Sequence, residues 1–117
     1  MKISHTIIAL AAILPSLAFA HVSTPRVDQR QMNQERRINQ GVASGSLTRY
    51  EANRLGRGQQ HVANMESRAK ADGVVTRQER AYLHHVQDRQ SERIYAQKHD
   101  RQHDYNHNGW VDRHYYR

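Results

Sequence analysis

Ser44-Gly45-Ser46-Leu47-Thr48-Arg49-Tyr50-Glu51 leads into Leu55, and 28 residues further on Asp72-Gly73-Val74-Val75-Thr76-Arg77-Gln78-Glu79 leads into Leu83. Glycine, an aliphatic residue, threonine, arginine, glutamate and leucine recur in register. Asn108-Gly109-Trp110-Val111-Asp112 is a third, partial copy 36 residues beyond the second. Such recurrence means that one supersecondary unit has been used more than once. Gly45 and Gly73 can take the positive φ of a tight reversal. Thr48 and Thr76 are good helix N-caps, and Glu51 and Glu79, three residues later, complete reciprocal capping boxes. Each copy therefore predicts a turn followed by a marked helix start, with Leu47, Val75 or Val111 placed to bury one side chain.

Working outward, the helices follow from the apolar spacing. The first is expected from about residue 27 to 40, closed by Gly41. The second starts after Thr48 and reaches about Lys70, with Leu55, Val62, Met65 and Ala69 on one stripe; Gly56 and Gly58 weaken it by ~1 kcal/mol each relative to alanine. The third starts after Thr76 and runs to about His99, carrying Leu83, Val86, Gln90 and Ile94 on one side. Nothing reads as a strand of useful length. The expected fold is all-α: a helical domain over 21–99 with loops near 41–48 and 69–76, then a polar C-terminal loop over 100–117.

The first 20 residues read as a signal peptide. Lys2 precedes an apolar run over Ile7–Leu14 that is too short for a bilayer, Pro15 breaks it, and Ala18-Phe19-Ala20 supplies small residues for cleavage after Ala20. Removing 20 of the 117 residues leaves 97, and losing Lys2 lowers the net charge from +7 to +6. The expected product is periplasmic or secreted, with no membrane span. There is no cysteine, hence no disulfide framework and no thiolate metal site. Leu, Ile, Val and Phe make up 13 of the 97 residues, below the ~20% at which a chain readily builds its own core. The core is thin and leans on a bound ion, a partner or self-association. Export and the scattered arginines argue against nucleic acid. An anionic envelope surface or an unidentified protein is the expected partner, with a homodimer left open.

The unit Gly-x-aliphatic-Thr-x-x-Glu resembles the second half of an EF-hand loop, and Asp104-Tyr105-Asn106-His107-Asn108-Gly109-Trp110-Val111-Asp112 resembles the first half. The resemblance covers roughly residues 40 to 117 and implies degenerate helix-loop-helix repeats in which the aliphatic residues of neighbouring loops face each other. It further implies a Ca²⁺-type site in which Asp104, Asn106 and Asn108 ligate through side chains, Trp110 through its carbonyl, and Asp112 directly or through water. The sequence departs from the pattern in each copy. Tyr115 stands where the closing carboxylate belongs, Arg68 and Lys70 occupy the first and third positions of the second loop and are free to pair with Asp72 and Glu79 instead, and Gln40 and Val42 those of the first.

Eight histidines remain after cleavage. His99, His103 and His107 recur every four residues, so a third helix extended that far would align them to chelate Zn²⁺, Cu²⁺ or Ni²⁺. His84 with Asp88 has the same spacing, and His21 would supply an amine and an imidazole. Leu47-Thr48-Arg49-Tyr50-Glu51 is similar to the Leu-Thr-x-x-Gln motif of small periplasmic helical chaperones, with Glu51 in place of glutamine. That resemblance implies a chaperone-like or stress-related interaction protein that needs no metal. There is no Gly-x-Ser-x-Gly, no His-Glu-x-x-His, no phosphate loop and no thiol, so an enzyme is not expected.

Overall fold

Residues 22–113 are described here by a computed structural model. The signal peptide expected over 1–20, His21 and Tyr115 lie outside the described residues. Three helices follow one another: α1 (Pro25–Ser44), α2 (Arg49–Lys70) and α3 (Arg77–Lys98). Among the described residues there is no strand, and no helix is long and apolar enough to cross a membrane. The fold is all-α.

Local chemistry sets the boundaries. Pro25 opens α1 with its φ already near the helical value. Gly45 closes it in the left-handed conformation, φ 76°, while Leu47 N–H reaches back to the Gly41 carbonyl at 3.0 Å. The expected stop at Gly41 is thus four residues early, and the first loop spans 45–48. Gly41 lies inside the helix because Leu47 packs onto it; a Cβ there would sit 2.5 Å from Leu47 Cδ1. Both capping boxes form. Thr48 N–H donates to Glu51 Oε2 at 2.9 Å and Glu51 N–H to Thr48 Oγ1 at 3.3 Å; the Thr76–Glu79 pair repeats this at 2.8 and 3.1 Å. Gly73, φ 82°, turns the chain between α2 and α3.

The helices run up, down and up. Thr24, which caps α1, donates to Glu66 of α2, and Gln59, further back along α2, donates to the Gln31 carbonyl, further along α1, so α1 and α2 are antiparallel. Gln34 donates to the Gln87 carbonyl and Lys98 to Gln40, so α1 and α3 are parallel. Two apolar clusters result. Val27, Ala69, Val75 and Leu83 fill the end that carries the second turn, and Ile38, Leu47, Leu55 and Ile94 fill the end that carries the first. Leu47 and Val75 therefore do not face each other as paired EF-hand loops would imply. Consecutive turns of an up-down-up bundle lie at opposite ends.

Amides fill the waist between the clusters. Gln34, Gln87 and Gln90 are buried, and each sends its NH₂ to a main-chain carbonyl of another helix: Gln87, Val27 and Leu55 respectively, at 2.8–2.9 Å. Gln34 also donates to Ser91 Oγ at 2.8 Å. The expected stripes hold at Leu55, Val62, Ala69, Leu83, Gln90 and Ile94, while Met65 and Val86 are half-buried. Glu66 replaces a hydrophobe on α2. It accepts from Thr24 Oγ1 and from Gln31 Nε2 and pairs with Lys70 at 2.6 Å.

Candidate cation loop

Beyond Lys98 the chain leaves the helix and folds back over the first turn. Asp104 N–H donates to the Gly45 carbonyl at 2.8 Å. The approach is close: a Cβ on Gly45 would lie 2.6 Å from the Asp104 carbonyl oxygen and 2.8 Å from Tyr105 Cα. Gly45 thus serves twice, as the left-handed cap of α1 and as the seat of the C-terminal loop.

The loop is organised by its own carboxylates. Asp104 is buried and accepts Asn108 N–H on Oδ1 at 2.9 Å and Gly109 N–H on Oδ2 at 2.8 Å. Asn106 Oδ1 also accepts from Asn108 N–H, at 3.0 Å, and Asn108 Oδ1 accepts from Trp110 N–H at 2.8 Å. Gly109 turns the chain at φ 89°, and His107 adopts φ 57°. Asp112 closes the ring: its carboxylate accepts Tyr105 N–H at 2.6 Å and Asn106 Nδ2–H at 2.5 Å, while its N–H donates to the His103 carbonyl at 2.7 Å. Asp104, Asn106 and Asp112 are brought together through these bonds, with Asn108 joined at the turn. The donor set is carboxylate and amide oxygen, the chemistry a hard divalent cation takes. Arg49 approaches Gly109, and Arg113 follows Asp112; both cations oppose tight binding. Among the described residues no group of three or more histidine, cysteine or carboxylate side chains is placed to hold a metal, so such a site would depend on the two asparagines. The Trp110 side chain is 77% exposed and Val111 is also exposed, so neither joins the apolar core.

The other expected positions have structural tasks. Glu51 and Glu79 are the capping partners of Thr48 and Thr76. Asp72 accepts Val74 N–H at 3.0 Å, and Lys70 pairs with Glu66 and not with Asp72 or Glu79. Leu47, Thr48 and Glu51 are all buried. Because α3 ends at Lys98, His99, His103 and His107 do not form a single helical stripe. His99 stacks on Tyr95 at 4.0 Å and His103 on Tyr105 at 4.8 Å, with His103 Nδ1 buried and unpartnered. Asp88 is drawn to Arg30 of α1.

One feature gave no sequence signal. Asp100, at the exit of α3, lies beside the buried Glu51. Burial pushes the Glu51 carboxyl up, the Thr48 N–H pulls it down and the adjacent Asp100 pushes it up again, leaving it above the usual carboxylate range. The two residues are 49 positions apart, and the packing of the end of α3 beside the start of α2 makes them neighbours.

Compared with known proteins, the chain matches no family model, no curated protein and no solved structure.

Proposed function

We propose that this is an exported, non-enzymatic helical protein whose C-terminal loop, a degenerate relative of the EF-hand loop, binds Ca²⁺ weakly. Asp104, Asn106, Asn108 and Asp112 would hold the ion with the Trp110 carbonyl. The observation that supports the reading best is the double acceptance by Asp104, which takes the Asn108 and Gly109 N–H groups and curls the loop around its own carboxylate. Asp112 bonded to Asn106 brings the second charge to the same ring. With two carboxylates and no closing glutamate, affinity should fall in the roughly 10⁻⁴–10⁻³ M range of extracellular modules. Export rests on the composition of residues 1–20.

The exposed Trp110 is the reporter. Titration with Ca²⁺ into the millimolar range should change its fluorescence, Asp104→Asn should abolish the change, and Tyr115→Glu should tighten it. No response in the wild type and in the Tyr115→Glu variant alike would end the reading. Parallel titrations with Zn²⁺, Ni²⁺ and Cu²⁺ separate it from nitrogen ligation by His99, His103 and His107, which favours the softer ions.

A further inference from the structure

The seam between α2 and α3 carries a cleft that the cation loop does not use. It is concave, of about 390 Å³, floored by Gly58, Val62 and Gln90 and walled by His61 from α2 and His85, Arg89 and Arg93 from α3. Arg93 continues the wall into an adjoining hollow beside Arg54. His85, Arg89 and Arg93 are spaced by four residues on α3 and form one basic stripe; α2 faces it with His61 across the gap left by Gly58, and with Arg54 at the adjoining hollow. No carboxylate lines it. Asp88 is held by Arg30 on the α1 side, and Glu92 is not among the lining residues.

Like charges four apart on a helix repel and weaken it. Tyr82 and Val86 complete the lining, and every ionisable side chain in it other than the Tyr82 phenol is basic. An anion in the cleft would offset that repulsion. Arginine's planar fork matches two oxygens of a phosphate at once, and histidine adds a further ring N–H donor. The concave shape suits a small ligand, since sites for such molecules begin at about 300 Å³; a flat basic face would suit a bilayer. We propose that this cleft is a binding site for a small, multiply charged phosphate compound, held by Arg89 and Arg93 with His61 and His85 on the facing walls.

The probe is inorganic tripolyphosphate, titrated into the purified protein by calorimetry without added Ca²⁺. Saturable binding is expected. Arg89→Gln with Arg93→Gln should weaken it at least tenfold, and His61→Gln with His85→Gln several-fold. Arg26→Gln with Arg36→Gln, on the exposed side of α1, should change it less than twofold. Among the described residues, these side chains other than Arg36, which donates to Asn33, make no hydrogen bond or ion pair, so circular dichroism should be unchanged. In the wild type, tripolyphosphate should shift the ring resonances of His61 and His85 and leave those of His99 and His107 in place. Three results would overturn the proposal: no binding at millimolar tripolyphosphate, equal weakening by the α1 pair, or binding to phosphatidylglycerol vesicles without binding to the soluble phosphate.

Discussion

Glu51 and Glu66 are both buried carboxylates on α2, and their surroundings drive them in opposite directions. Burial opposes the charge of Glu66, but the Lys70 ammonium and the Thr24 hydroxyl outweigh it and hold the carboxyl below the ordinary range. Its contribution to stability is present above the ordinary carboxylate value and is lost as pH falls through the lowered one. Glu51 is raised, chiefly by burial and with Asp100 adding to it. It binds its proton more tightly in the folded chain, so its contribution is present below the ordinary value and is lost as pH rises through the raised one. Glu51→Gln keeps an acceptor for Thr48 N–H and removes the charge. It should therefore be more stable than the wild type near neutral pH, with the advantage vanishing in acid. Glu66→Gln should lose stability near neutral pH and keep it in acid. Urea denaturation between about pH 4 and pH 8 reads both, and a Glu51→Gln variant destabilised at neutral pH would contradict the assignment.

At the scale of the element, the glycines of α2 separate cleanly. A Cβ on Gly56 would meet nothing within 4 Å, whereas one on Gly58 would fall 2.2 Å from Gln90 Oε1. Gly56→Ala should stabilise the protein by about 0.5–1 kcal/mol through helix propensity alone. Gly58→Ala should destabilise it despite the same propensity gain, because Gln90 must move off the Leu55 carbonyl it now holds at 2.9 Å. Thermal melts of the two variants should shift in opposite directions. The starts of α2 and α3 were legible because a capping box is a purely local device, written in the four residues Thr48–Glu51 and Thr76–Glu79. The end of α1 was not, because Gly41 and Gly45 are equally plausible stops until Leu47 is seen packing against the first. Nor were the buried glutamines at 34 and 87, which read as surface residues and are buried only because their amides find carbonyls on other helices.

For the whole molecule, the decisive contact is the C-terminal loop seated on the turn between α1 and α2. Its spacing of Asp, Asn, Asn, Gly and Asp could be read in sequence; its seat could not, since Gly45 and Asp104 meet only through the bundle. Gly45→Ala should both destabilise the fold and weaken Ca²⁺ binding. The new methyl would carry the strain of φ 76° and displace the Asp104 backbone. Gly73→Ala carries a similar strain at φ 82°, with open space around it. It should cost about 1 kcal/mol and leave Ca²⁺ binding unchanged. Calorimetric titration of both variants distinguishes a loop that depends on its seat from one that does not.

The most direct measurement follows the backbone amide of Gly109 by NMR during Ca²⁺ titration, because that N–H already donates to Asp104 Oδ2 at 2.8 Å. A saturable shift confined to residues 104–112, lost in Asp104→Asn, is the predicted result. A Gly109 resonance that stays still into millimolar Ca²⁺, while the protein remains folded, would contradict the cation-binding reading outright.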